Sequence, residues 1–183
     1  MAKYVYKTIL DLDNRNKITQ LLPSGSIGIE LGVATGYFSD ILLSSGKFDK
    51  LYSIDRYSDH HGIDEYINAV KLLSKYNEKS CFIRSTFDEA LNFFDNYFFD
   101  FIYIDAYAHN GQENGKILDD WFPKLKTHGI FSGHDYEPLV WPKTYESVNR
   151  FCNNKKLDIM VINGNQGGVN NEDQWKSWYT IKK

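Results

Sequence analysis

Ser26-Ile27-Gly28-Ile29-Glu30-Leu31 runs without a break into Gly32-Val33-Ala34-Thr35-Gly36 and on into Tyr37-Phe38-Ser39. A short apolar run, a turn bounded by two glycines and an amphipathic stretch ending at Gly46 predict a buried strand, a tight turn and a helix. The pattern recurs downstream. Residues 51–54 predict a second strand, ending at Asp55, and residues 63–76 an amphipathic helix. Residues 80–84 predict a third strand and 87–94 a short helix. Residues 99–104, inside Phe99-Asp100-Phe101-Ile102-Tyr103-Ile104-Asp105, are nearly all apolar, as in a strand buried on both faces. A helix over 115–125, a strand over 129–132, a helix over 145–153 and strands over 157–162 and 177–181 complete the chain. Upstream, residues 4–22 carry apolar positions at helical spacing, interrupted near Asp13-Asn14 and stopped by Pro23.

Strands separated by helices build βαβ units, hence a mostly parallel sheet with helices on both faces. No helix separates the last two strands, so they are expected to pair antiparallel. The 183 residues suit a single domain over 1–183, with 1–23 as an N-terminal helical segment. A net charge of −3 argues against a general nucleic-acid binder. Cys81 and Cys152 fit no metal spacing and read as free thiols of a reducing compartment. No apolar stretch approaches the roughly 18–20 residues of a membrane span, and the N-terminus lacks the apolar core of a signal peptide. The expectation is a cytoplasmic protein.

In open sheets of this kind, ligands sit at the carboxyl ends of the strands. Gly32 and Gly36 allow close backbone approach there, but the spacing is not Gly-x-Gly-x-x-Gly, and Ala34 stands between them. Glu30 precedes the turn. A carboxylate in that place repels a pyrophosphate and suits a cationic amine, which points to an amino-acid-bearing cofactor rather than a dinucleotide. Asp55, 23 positions after Gly32, can accept hydrogen bonds from ribose hydroxyls or cap nearby backbone. Arg56 adjoins it. Ser85-Thr86-Phe87 offers polar and stacking contacts to an adenine, while Thr86 also reads as a helix N-cap.

The layout resembles the class I S-adenosylmethionine-dependent methyltransferases, on Glu30-Leu31-Gly32-Val33-Ala34-Thr35-Gly36, on Asp55 and on the strand ending at Asp105. Within them it resembles the small-molecule O-methyltransferase branch, related to catechol and macrolide-sugar methyltransferases. The resemblance implies a Rossmann-like, doubly wound seven-stranded sheet of order 3-2-1-4-5-7-6. It implies S-adenosyl-L-methionine as cofactor, with Glu30, Gly32, Ala34, Gly36, Asp55, Arg56, Ser85, Thr86, Phe87 and Asp105 around it.

Asp105 and Asp135 lie thirty positions apart, yet end neighbouring strands in that sheet. Two close carboxylates need a cation or a shared proton. A divalent cation such as Mg²⁺ or Mn²⁺, held by Asp105, His134 and Asp135, would lower the pKa of a substrate hydroxyl. Metal-dependent relatives carry an acidic residue where His134 stands, and imidazole suits Mn or Zn better than Mg. The alternative is that Asp105 orients a ligand by hydrogen bonds and Asp135 caps its loop. His109 is the candidate general base, since its pKa lies near neutrality. His60-His61 reads as a solvated pair, Tyr136 and Trp141 as walls of a substrate pocket, and 163–175 as a lip over it.

The leading expectation is methyl transfer to an oxygen of a small polar molecule: a sugar, nucleotide-sugar or polyol, or a catechol-like diol. Nucleic acid and membrane are not expected as partners. The crevice stays open or is closed by a second subunit of a homodimer. The competing readings are a non-catalytic cofactor-binding protein and an NAD-dependent oxidoreductase. The second lacks its glycine fingerprint.

Overall fold

Seven strands form one sheet: β1 (Ser26–Leu31), β2 (Phe48–Asp55), β3 (Ser80–Arg84), β4 (Phe99–Ile104), β5 (Leu125–Gly133), β6 (Met160–Ile162) and β7 (Ser177–Ile181). The structure is a computed structural model that describes residues 12–58, 61–164 and 174–183. The order across the sheet is β3-β2-β1-β4-β5-β7-β6. The first five strands in that order pair in parallel, and β7 is antiparallel to both β5 and β6. The expected topology and final hairpin are both present.

Two apolar layers sandwich the sheet. On one face Phe94, Phe99, Ile102, Ile104, Phe131 and Trp178 pack against the helix residues Trp121 and Phe151. On the other, Phe48, Phe101, Tyr103 and Ile130 meet Ile18, Phe38 and Leu42. Burial of each such side chain contributes about 1.5–3 kcal/mol. Strand residues normally alternate between faces, so Phe99 and Phe101 should share one. They do not, because the β4–β5 register shifts between them, at Asp100. The Asp100 carboxylate accepts hydrogen bonds from the Ile27 backbone N–H and from Lys126 Nζ, both at 2.9 Å. An aspartate inside an otherwise apolar strand is thus accounted for by the irregular end of the sheet.

The helices are α1 (Tyr37–Ser44), α2 (Ile63–Leu73), α3 (Phe87–Ala90), α4 (Gly111–Asn114), α5 (Lys116–Trp121) and α6 (Pro142–Lys155). Several expected boundaries move. The helix over 63–76 ends at Leu73 and continues as a 3-10 turn, Ser74–Lys79. The final helix begins at Pro142 rather than 145, since proline at the first helical position gives up only an N–H that has no partner there anyway. The strands expected over 51–54 and 129–132 extend to Phe48–Asp55 and Leu125–Gly133, because Phe48 and Leu125 are buried apolar starts cut off from the rest of each strand by polar residues. Of the segment expected to be helical over 4–22, Arg15–Leu21 is a 3-10 helix capped by the Asn14 side chain. Residues 4–11, His60 and 165–173 of the expected lip lie outside the described residues.

Candidate active site

The carboxyl ends of β1, β2, β4 and β5 meet over one crevice. Gly32, φ +92°, sits where a Cβ would lie 2.1 Å from the Asp105 carbonyl oxygen, so only glycine lets the ends of β1 and β4 abut. Four non-glycine residues just past these strands also hold positive φ: Ala34 (47°), Tyr57 (50°), Tyr107 (56°) and Asp135 (58°). Each costs roughly 1–3 kcal/mol, and strain of this kind gathers at ligand sites.

Asp55 holds the glycine turn in shape. Its Oδ2 accepts from the N–H groups of Val33 (2.9 Å) and Ala34 (3.1 Å), and its Oδ1 from that of Tyr57 (3.0 Å). The Tyr57 hydroxyl closes the arrangement by donating to the Ala34 carbonyl at 2.6 Å. Both readings of Asp55 therefore meet in one residue, which caps backbone while bordering a cavity. Glu30 is 1% exposed and accepts a hydrogen bond from Ser39, whose hydroxyl lies 2.7 Å from that of Ser53. Burial pushes Glu30 up to about 8, against the opposing effect of the Ser39 hydroxyl. A carboxyl in that state is short of positive charge.

Two cavities adjoin at Gly32, His61 and Asp105. The first, about 170 Å³, is lined by Asp55, Arg56, Ser85, Thr86, Phe87 and Tyr107 among others. The second, about 410 Å³, is lined by Arg15, Glu30, Ala34, Asp135, Trp141 and Trp175 among others. This pair fits S-adenosylmethionine. The first offers Asp55 for a ribose and Phe87 for an adenine, and the second sets the charge-deficient Glu30 where an ammonium would satisfy it.

At the floor of the second cavity stands a polar cluster. Arg15, 4% exposed, places Nη1 3.0 Å from Asp105 Oδ2. His134 Nδ1 lies 3.5 Å from Asp105 Oδ1 and 3.3 Å from Asp135 Oδ1. Burial alone would raise Asp105, but His134 and Arg15 outweigh it and hold this carboxyl well below the usual range. Burial alone would lower His134, but the Asp105 and Asp135 carboxylates outweigh it and raise the imidazole to about 9. At neutral pH His134 is a cation, not a base.

The structure thus gathers Glu30, Gly32, Ala34, Asp55, Arg56, Ser85, Thr86, Phe87, Asp105, His134 and Asp135 around the crevice. Thr86 also caps α3 reciprocally with Glu89, as its alternative reading expected. Gly36 and His109 line neither cavity. Gly36, φ +85°, faces Ala69 of α2 and serves the packing of α1 on α2. The chain leaving β4 turns at Tyr107 and carries His109 toward α6, where its ring lies edge-on to Trp141 at 4.8 Å. Thr144 of α6 fastens that turn through the Ala108 carbonyl. Trp141 borders the second cavity as expected, whereas Tyr136 packs on Tyr145 in the core. Arg15 was missed. It is 90 positions from Asp105, and no local pattern reveals a contact of that range.

Sheet order, glycine turn and paired cavities together define a class I S-adenosylmethionine-dependent methyltransferase fold. Residues 26–136 match the methyltransferase-domain family, and the chain belongs to that family. No curated protein matches the sequence. Among solved structures the chain is similar to the precorrin-6y C5,15-methyltransferase of Geobacter metallireducens. That match has TM-score 0.67 and 12% identity, and covers 92% of this chain and 86% of that one. It is also similar to an O-methyltransferase from Bacillus cereus solved in complex with SAH (TM-score 0.64, 13% identity, 86% and 74% covered). A third is the CurJ carbon methyltransferase (TM-score 0.60, 14% identity, 90% and 51% covered). These likenesses are of fold. Proteins named for methylation at oxygen and at carbon share it, so the acceptor atom is read from the site and not from the sheet.

Proposed function

We propose that the protein transfers the methyl group of S-adenosylmethionine to a hydroxyl oxygen of a small polar molecule. The observation that carries this reading is the second cavity, which places Glu30 and the Asp105–His134–Asp135 cluster around one space. Bound there, the cofactor supplies a methyl group on a positively charged sulfur, which keeps the bonding electrons when the acceptor oxygen takes the methyl. Glu30 holds the cofactor's ammonium and Asp55 its ribose, fixing where the methyl points. Trp141 and Trp175 wall the acceptor's place. Asp135 borders that place and takes the hydroxyl proton, while the His134 cation beside it holds the carboxylate in position. His109, which lines neither cavity, packs edge-on against Trp141 and supports that wall.

Calorimetric titration with S-adenosylmethionine and with NAD tests the first step. Binding of the former, lost in Glu30→Ala, and none of the latter is the expected result. NAD binding alone would return the protein to the oxidoreductase reading. Turnover of a labelled cofactor against a panel of sugars, polyols and catechols then tests the acceptor class. Label recovered on carbon or nitrogen instead of oxygen would overturn the O-methylation reading.

A further inference from the structure

The Asp105–His134–Asp135 set has the composition of a metal site. One ligand atom from each residue lies within 4.8 Å of the others. Two features of its surroundings do not fit a divalent cation. Arg15 is the first. Its guanidinium keeps its charge at every accessible pH. It lies 3.0 Å from Asp105 Oδ2 and 3.4 Å from the Tyr103 hydroxyl, and stacks 4.5 Å above the Phe38 ring. Tyr103 is itself held by Ser177 at 3.0 Å. The residue is buried, as is Ile18 on the same 3-10 helix. This is a positive charge fixed on the carboxylate that a metal would need.

His134 is the second. Its Nδ1 is the atom that faces both carboxylates, so ligation through Nδ1 would put the remaining proton on Nε2. A metal-bound histidine donates that other N–H to a carboxylate, carbonyl or water. His134 Nε2 is buried and has no hydrogen-bond partner among the described residues. With a proton on Nδ1, the ring donates toward the two carboxylates and offers a metal no lone pair there.

We infer that this site works without a divalent cation, and that Arg15 takes the ion's place as the positioning residue that balances and orients Asp105. The inference rests on the methyl-transfer reading for its chemical meaning but not for its test. It narrows the acceptor class. With no metal to be chelated, the acceptor needs only one hydroxyl, presented to Asp135. A vicinal pair is not required.

The test is titration of the intact protein with Mn²⁺, followed by loss of the free-ion electron paramagnetic resonance signal. The wild type is expected to leave that signal unchanged up to about 1 mM, the range of weak association. Arg15→Met removes the competing charge and is expected to bind Mn²⁺ at least about tenfold more tightly than the wild type. Adding Asp135→Ala to it should abolish the gain, and Arg15→Lys, which keeps the charge, should behave as the wild type. A merely structural role for Arg15 predicts no such gain. Wild-type binding of Mn²⁺ that disappears in Asp135→Ala overturns the inference, and needs no Arg15 variant to fold. A folded Arg15→Met that gains no binding also overturns it. Calorimetry with S-adenosylmethionine on the same wild-type sample separates the two readings. Its failure there breaks the proposed function and leaves the metal result standing.

Discussion

Asp100 and Asp105 sit five positions apart on one strand segment and face opposite fates. Asp100, at the amino end of β4, is held by a backbone N–H and by Lys126, a partner 36% exposed. It seals the irregular end of a central strand. Asp105, just past the carboxyl end, is held by a buried arginine and a buried histidine and borders both cavities. Both are carboxylates with cationic partners, so an ion pair by itself does not mark function. The difference is that the pairing at Asp105 leaves a carboxylate facing empty space, among residues in costly backbone conformations.

The largest effect expected is from Asp105→Ala. It leaves Arg15 as an uncompensated buried charge and His134 with Asp135 alone, at a cost of about 3–5 kcal/mol in urea denaturation, and removes the heat of cofactor binding. Asp100→Ala should cost about 1–3 kcal/mol, the desolvation of the groups it leaves unpaired, and leave cofactor affinity as it was. Equal losses of cofactor binding in the two variants would erase the distinction between the ends of the sheet. Gly32→Ala should lower stability by more than the roughly 1–2 kcal/mol of its left-handed conformation, because its Cβ meets the Asp105 carbonyl. A melting temperature unchanged from the wild type would show that the strand ends do not abut as described.

Two pH dependences sharpen the comparison further. Glu30 is pushed up to about 8, and only its ionised form holds an ammonium. Cofactor binding must then expel a proton below that value. Affinity should fall by about tenfold per unit as pH drops from about 8 to about 6, and Glu30→Gln should remove the dependence along with most of the binding. His134 contributes the other. Its folded pKa, about 9, exceeds the unfolded value. Its stabilisation is therefore complete below about 6.5 and is lost as pH rises through about 9. Unfolding free energies across that window should decline in the wild type and flatten in His134→Asn. A wild-type profile as flat as the variant's would remove the cationic imidazole from the cluster.

The sheet was legible because burial on two faces leaves a mark. β4 is nearly all apolar, β1 runs into its glycines, and the absence of a helix before β7 announces the antiparallel end. The cofactor side was legible for a related reason. Glu30, Gly32 and Asp55 follow their strands directly, so sequence position alone puts them at the crevice. Their exact services were less visible, since the Asp55 hydrogen bonds to the turn depend on backbone directions that a spacing does not carry.

What the sequence determined by itself is the order of the elements, the place of the crevice and the carboxylates at its rim, because each depends on patterns a few residues long. The tertiary structure alone decided the partners of those carboxylates. Only the folded chain brings Arg15 across 90 positions onto Asp105, turns His134 Nδ1 between two acids and carries His109 onto Trp141. Contacts of that range are set by how strands and loops pack in space. That packing also set the Arg15 guanidinium against the carboxylate that the expected metal would use.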